Sequence, residues 1–542
     1  MKLHQVILIL SPLALDFTEA MTVPEYAVSS NSPGLDWKKC NFGFPKKMQE
    51  MVTFPADCAT LEVPLDYSGL TTSKTFDLQL FRAKATKKPF KGSVLFNPGG
   101  PGESGIQGVI ELQEEFVKLL GGHYSIIGFD PRAETQTQQP NSTDASKRDY
   151  TPRLEGDSFP PGNAWPQVMK EGWEESKTAA EKCFKNQRET GRYIGTAAVA
   201  RDMLRIVDAL KEDGQLRYYG VSYGTALGQI FASMFPDRVG RMVLDSNLFA
   251  ADWLTTSDSI GAQDTEKAFD KFLDECVAAG PKLCRLANYS GPDTKAKDIK
   301  TAVKDVFQKL MDNDPSILKG AELSKDDYPY GGASLARLLK NNMMDQLLRP
   351  SGYEKLTDLT MLVLEHKWED DSTPDAEVPA EEPAETPWNR GSDALEGIRC
   401  SDSSFRVETP DDLYSIYQLH MSHGSFSEGD NRLKCARWRF DAVERIDTNK
   451  MRNVKTNNPI LFVNSPYDPV TPLVGAWAAS ARFRKSRVLI HEGIGHGFIA
   501  HPSNCTNKAV RRYFDNGDMP EVGTVCKPDM TVYEYIEHTK SE

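Results

Sequence analysis

Gly220-Val221-Ser222-Tyr223-Gly224 is the stretch on which the reading of this chain turns. A strand-like run, Arg217 to Gly220, leads into it, and a helix-forming run, Thr225 to Met234, leaves it. A serine between glycines at such a junction fits G-x-S-x-G, a sharp strand-to-helix turn that exposes a nucleophile. The glycines have a physical cause. Side chains at the flanking positions would collide with the neighbouring helix and strand, and the turn aims helix N–H groups at the hydroxyl. The pentapeptide also occurs by chance as an ordinary glycine-rich turn; its strand and helix context gives it meaning.

Working outward, Cys58 to Pro64 begins a strand-like stretch, and Phe76 to Phe81 alternates apolar and polar residues. Gly92 to Asn97, Tyr124 to Asp130, Arg241 to Asp245, Pro459 to Asn464 and Arg487 to His491 read as short buried strands. Ala197 to Leu210 has helical spacing, with Val199, Met203, Ile206, Val207 and Leu210 on one face. Strands alternating with helices predict an α/β fold, with a mostly parallel central sheet and helices on both faces. From about Ala250 to Leu395 helical spacing takes over, around Ala268 to Ala278, Ala302 to Met311 and Leu356 to Leu364. That block ends in an acidic, proline-rich run, Ser372 to Thr386, read as a surface loop. The expected organisation is a core in two pieces, residues 21–249 and 399–542, with a helical cap inserted at 250–398.

A nucleophilic serine needs a base, an acid behind the base, and donors for the oxyanion. Asn97-Pro98-Gly99-Gly100-Pro101-Gly102 follows an early strand, where glycines let the backbone approach a reacting carbonyl. The expected oxyanion donors are the N–H groups of Tyr223 and Gly100, with Gly99 as the competitor to Gly100. Asp468 lies just past the strand Pro459 to Asn464, and His496, between Gly495 and Gly497, lies just past Arg487 to His491. These are the expected acid and base, and the chain order is Ser222, Asp468, His496. Asp245, which ends the strand after the nucleophile helix, is the reserve acid. His491 reads as structural and His501 as a loop residue. His491 and His496 stand five apart with two glycines between them, which fails the helical zinc-protease spacing. No phosphate-binding P-loop and no C-x-x-C occurs, so neither a cofactor nor a metal is expected.

The chain has 542 residues, 39% hydrophobic and 26% charged, with a net charge of −13. That balance argues against nucleic acid, which needs clustered Lys and Arg, and would not repel a cationic substrate group. Residues 1–20 read as a secretory signal: Lys2 and His4, an apolar run from Val6 to Leu15, and cleavage after Ala20. No other apolar run reaches spanning length, so no membrane span is expected. Nine cysteines agree with export. Their spacing favours Cys40–Cys58, Cys276–Cys284, Cys400–Cys435 and Cys505–Cys526, leaving Cys183 over, although sequence alone does not settle connectivity. Asn141, Asn288 and Asn504 carry N-x-[ST] glycosylation sequons.

Several of these segments together resemble one family. Cys58-Ala59-Thr60-Leu61-Glu62-Val63-Pro64-Leu65-Asp66-Tyr67, the Asn97 to Gly102 run, the Ser222 elbow, Pro236 to Asp245 and Asp468-Pro469-Val470-Thr471-Pro472 look like the secreted tripeptidyl-aminopeptidase-like α/β-hydrolases, relatives of the prolyl aminopeptidases. The part from about Lys434 through Cys526 resembles the family's C-terminal region. The resemblance implies an α/β-hydrolase fold, the order Ser-Asp-His, and release of short peptides from a free N-terminus, with acidic groups of the cap binding the amine. The chain departs from the family at Ala133-Glu134 after Asp130-Pro131-Arg132, at Ser246-Asn247-Leu248 after Asp245, and at Glu103 beside the glycine loop. All three fall near the expected pocket. The expected partner is therefore a small peptide or small-molecule substrate. An ester- or lactone-cleaving hydrolase is the second reading, since the same machinery serves both bonds. A non-catalytic binding protein is the third, disfavoured by the complete set of catalytic residues.

Overall fold

The computed structural model describes residues 34–41, 43–69, 72–132, 165–255, 260–261, 263–318, 331–368, 392–421 and 435–541. The signal segment, Asn141, Ala133-Glu134 and the acidic run Ser372 to Thr386 lie outside them.

Nine strands form one sheet: β1 (Ala56–Pro64), β2 (Thr75–Ala83), β3 (Ser93–Asn97), β4 (Ser125–Phe129), β5 (Leu216–Ser222), β6 (Val239–Asn247), β7 (Leu461–Asn464), β8 (Arg487–His491) and β9 (Val525–Cys526). Their spatial order is β1-β2-β4-β3-β5-β6-β7-β8-β9. β1, β2 and β4 are joined antiparallel, and every pairing from β4 through β9 is parallel. The inner strands are apolar runs because both their faces are covered; β3, β4 and β7 are buried throughout. The fold class agrees with the sequence reading. The short edge strand β9 escaped it, since two residues carry no period.

One face of the sheet packs on helices Thr196–Leu210 and Tyr223–Met234 through Met203, Ile206, Leu227, Ile230 and Leu244. The other face packs on Gly105–Glu111, Gln113–Leu120 and Asn504–Asn516 through Phe96, Phe116, Tyr219 and Tyr513. In Thr196–Leu210 the predicted stripe is buried at Val199, Met203, Ile206 and Val207, with Leu210 at its margin.

Between β6 and β7 the described residues hold helices and no strand of the sheet. Thr265–Ala279, Ala296–Met311, Gly332–Leu347 and Tyr353–Glu365 share a separate core that includes Phe269, Phe272, Phe307, Leu339, Tyr353 and Leu356. Three of these helices cover the predicted periodic stretches; Gly332–Leu347 was not foreseen. A second unforeseen helix, Trp165–Asn186, packs through Ala180 and Phe184 against Cys400, Cys435, Trp438 and Phe440. All four favoured disulfides are present, and Cys183 lies outside them beside Cys400–Cys435. Closing such loops typically contributes ~2–4 kcal/mol each.

Arg132, at the end of β4, is fully buried and holds the N-terminal strands to the helix Thr196–Leu210. Its Nε and Nη2 donate to the Asp202 carboxylate at 2.6 and 2.7 Å, while Nη1 and Nη2 donate to the carbonyls of Leu65, Tyr193 and Pro64. Tyr67 donates its hydroxyl to Asp202 at 2.7 Å. Removing one partner of a buried pair strands the other's charge. Asp202→Ala is therefore expected to lose about 3–5 kcal/mol of unfolding free energy in urea titrations. A loss below about 1 kcal/mol, the scale of an exposed pair, would show that the pair does not hold the fold.

Candidate active site

Ser222 closes β5, and the helix Tyr223–Met234 starts at the next residue. Its backbone stands at φ 56° and ψ −123°, the strained turn that the glycine pattern predicts. A methyl on Gly220 would come within 2.5 Å of the Gly224 carbonyl oxygen, and one on Gly224 within 2.6 Å of the Asn97 carbonyl oxygen. The turn therefore closes only with glycine at both positions. Thr225 Oγ1 donates to the Ser222 carbonyl at 2.6 Å, and Ser222 itself is half-buried, open to a reactant.

The glycine loop lies directly on this elbow. At Gly99, φ is +115°, and a methyl there would stand 2.7 Å from Ser222 Cβ and 3.2 Å from Tyr223 N. Gly99, weighed as the alternative to Gly100, is thus the residue in contact with the nucleophile. Gly100 turns toward the Gly102 and Glu103 amides. The peptide that joins the two carries the Gly100 N–H.

Tyr223 is held by a network that the sequence did not reveal. Its hydroxyl meets Thr196 Oγ1 at 2.7 Å, and Thr196 Oγ1 in turn donates to Asp402 Oδ2. Asp402 also accepts from Thr196 N at 2.7 Å and from Trp253 Nε1 at 2.8 Å. All four residues are buried. Asp402 lies 206 positions from Thr196 on the helix Ser392–Asp402, so no local pattern could have pointed to it.

Asp468 and His496 meet as expected. His496 Nδ1 lies 3.0 Å from Asp468 Oδ2 and 3.2 Å from Oδ1. The Asp468 carboxylate also accepts Val470 N at 3.0 Å, Thr471 N at 2.9 Å and Thr471 Oγ1 at 2.7 Å. Burial alone would raise its pKa; the His496 imidazole, then the Ser246 hydroxyl and the Thr471 amide, hold it below the ordinary carboxylate range. For His496 burial opposes the charged form, and Asp468, Asp245 and Glu103 together raise its pKa above the ordinary imidazole value. With Nδ1 on the carboxylate, Nε2 is the nitrogen left for a reactant. The loop is seated beside the elbow: a methyl on Gly497 would stand 3.8 Å from Val221 Cγ1, and Gly497 N donates to Ser246 Oγ at 2.7 Å.

The rivals separate by environment. His491 is buried against Thr506 Oγ1, and burial pushes its pKa down to about 4. His501 is buried as well, between Ile494 N and the Met530 carbonyl. Asp245 does not touch the imidazole's hydrogen-bonding nitrogen; it accepts Tyr219 OH and Phe498 N. Two of the three departures from the family pattern fall at the site. Ser246 touches the His496 loop and Asp468, and Glu103 lies within electrostatic reach of His496 and Arg349. Glu103 is accessible to solvent, yet surrounding protein desolvates it enough to raise its carboxyl pKa, against the pull of those two cations. Among the described residues no cluster of His, Cys, Asp and Glu could hold a metal, and no helix is long and apolar enough to cross a membrane.

Comparison with known proteins agrees with this fold. Residues 92–280 match the alpha/beta hydrolase fold model, and residues 426–526 match a model described as TAP-like protein. The tripeptidyl aminopeptidase of Streptomyces coelicolor is 26% identical over 520 residues, covering 92% of this chain and 87% of that protein. The serine protease Hip1 of Mycobacterium tuberculosis is 26% identical over 507 residues, 91% of each chain. The carboxylesterase B of the same organism is 26% identical over 522 residues, covering 92% of this chain and 91% of that one.

The Asp402 network carries a pH signature. Burial pushes its carboxyl up to about 6, although donors from Thr196 and Trp253 pull it down. The unfolded value is about 3.9, so the folded state binds this proton more tightly. Its contribution to folding is full below about pH 4 and is lost as pH rises through about 6. Relative to Asp402→Asn, wild-type unfolding free energy is expected to decline across that window in urea titrations. Parallel curves would show that Asp402 does not titrate in this way.

Proposed function

This chain is a serine hydrolase of the α/β-hydrolase fold with a TAP-like C-terminal region, and from that premise we propose that it is an exported peptidase releasing short peptides or residues from free N-termini. The observation that carries the reading is the Asp468–His496 pair, 3.0 Å apart, in loops past β7 and β8 on the same edge of the sheet as the Ser222 elbow. In open α/β sheets, ligands bind outside the carboxyl ends of the strands, which is where these groups gather.

Ser222 Oγ attacks the scissile carbonyl carbon while His496 Nε2 takes the hydroxyl proton. The C=O π bond opens, and the oxyanion is stabilised by the N–H groups of Tyr223 and Gly100, each worth a few kcal/mol. Collapse breaks the C–N bond, and the leaving amine takes the proton from His496. Water then attacks the acyl-enzyme, with His496 again as base, and frees the carboxylate and Ser222. Asp468, hydrogen-bonded to Nδ1, holds the tautomer and stabilises the imidazolium.

Two observations support a peptide with a free amine. The named activities of two relatives are peptidase activities. The Glu103 carboxylate, within electrostatic reach of His496, offers a counter-charge for an ammonium group. The helical block of residues 250–398 is read as the cap of the site, since the Leu348 carbonyl accepts the His496 N–H at 2.9 Å. Export is supported by the signal pattern of residues 1–20 and by four disulfides. The sequon residues Asn288 and Asn504 are exposed, as glycosylation requires. An esterase is the second reading, favoured by the carboxylesterase among the relatives.

Ser222→Ala is expected to lower turnover by roughly 10⁴–10⁶-fold and Asp468→Asn by about 10⁴-fold. Peptides with free N-termini should be cleaved in preference to their acetylated forms. Hydrolysis of simple esters with no cleavage of either peptide would favour the second reading. Full turnover by Ser222→Ala would end the catalytic assignment.

A further inference from the structure

β6 lies between the nucleophile strand and the acid strand, and Asp245 pairs in register with Val221 on β5 and Val463 on β7. This buried carboxyl group takes no part in the mechanism above, yet it stands in the middle of it. Oδ2 accepts Tyr219 OH at 2.9 Å and Phe498 N at 3.0 Å. Oδ1 is buried without a hydrogen-bond partner among the described residues. The next residue, Ser246, is buried in the left-handed region at φ 57° and accepts Gly497 N at 2.7 Å. Its hydroxyl hydrogen remains available to Asp468. Two consecutive residues of β6 thus grip the two residues that follow His496.

We infer that Asp245 is a positioning residue for the general base: it anchors the backbone after His496 and, as a second buried carboxyl beside the imidazole, sets the pH range over which His496 accepts a proton. The inference rests on the assignment of Ser222, His496 and Asp468 above. Asp245 acts through His496 and contacts no reacting atom.

The charged and titratable groups facing Asp245 come from three elements: Tyr219 on β5, Asp468 past β7 and His496 past β8. Burial pushes its carboxyl up to about 7; the Phe498 amide, the Tyr219 hydroxyl and His496 pull it down, and Asp468 pushes it further up. An ionised Asp245 favours the imidazolium, which cannot accept the serine proton. Removing its charge lowers the pH at which His496 becomes a competent base. The two groups titrate as a pair, so the effect appears in the macroscopic acid limb of the rate profile.

The test is the pH profile of kcat/KM for wild type, Asp245→Asn and Asp245→Ala, with Ser222→Ala and Asp468→Asn as references. Asparagine retains an oxygen for Phe498 N and Tyr219 OH and places its amide where Oδ1 has no partner. Asp245→Asn is expected to stay active, with its acid limb moved to lower pH by on the order of one unit. Asp245→Ala, which removes the anchor, is expected to lose about tenfold or more in kcat at every pH, with KM little changed. An unmoved acid limb in Asp245→Asn, or an Asp245→Asn enzyme as inactive as Asp468→Asn, would overturn the proposal, the latter because Asp245 would then be the acid itself. Undiminished turnover in Ser222→Ala would instead show that the catalytic assignment is wrong, and the Asp245 proposal would fall with it.

Discussion

The backbone at Ser222 stands at φ 56° and ψ −123°, where a residue with a side chain is under strain. Strain of this kind costs about 1–3 kcal/mol and persists only when the surroundings over-determine it. Here they do. β5 is paired on both sides, to β3 and β6, and its register with β6 shifts between Val221 and Ser222. Thr225 holds the Ser222 carbonyl, and the glycine loop presses against Ser222 Cβ. The other site groups take their places relative to this point. Tyr223 begins the helix that the turn launches, and the Gly497 loop leans on Val221.

Much of this was legible because strands in a covered parallel sheet are short apolar runs and each is followed by the residue that matters. β8 was read to its ends, and the Ser, Asp, His order followed from the runs preceding Asp468 and His496. What stayed hidden is what folding brings together from far apart. Asp402 and Thr196 meet across 206 positions, and the helix carrying Asp402 has the same period as its neighbours. Gly99 and Gly100 could not be told apart, because their difference lies in φ and contact rather than in residue type. The same holds for the two candidate acids. By sequence Asp245 and Asp468 both look like residues at or just past a strand end; in the fold Asp245 lies inside β6 and accepts donors from Tyr219 and Phe498, while Asp468 lies past β7 and accepts donors from Thr471 and His496.

Three carboxyl groups surround one imidazole, and their environments divide the work. Asp468 is the most thoroughly hydrogen-bonded, so it stays ionised although it is buried. Asp245 has two donors on one oxygen and none on the other, and is correspondingly easier to protonate. Glu103 is reached by solvent, yet the surrounding protein desolvates it enough to raise its carboxyl pKa. Groups of one chemical type thus acquire different charge states at one pH through donors and burial alone.

The helical block takes part in this arrangement through the backbone. Leu348 accepts the His496 N–H at 2.9 Å, and a methyl on Gly495 would collide with the Leu348 oxygen. The block's own core includes Ile494, with Tyr467 and Val470 packed against it. The loops carrying Asp468 and His496 therefore both form part of the wall of that core, one on either side of the His496–Asp468 bond. Close packing transmits displacement, so the block cannot shift at this contact without moving the imidazole. The joint is charged as well as packed: Glu103, next to the glycine loop of the sheet, lies within electrostatic reach of Arg349 from the helical block.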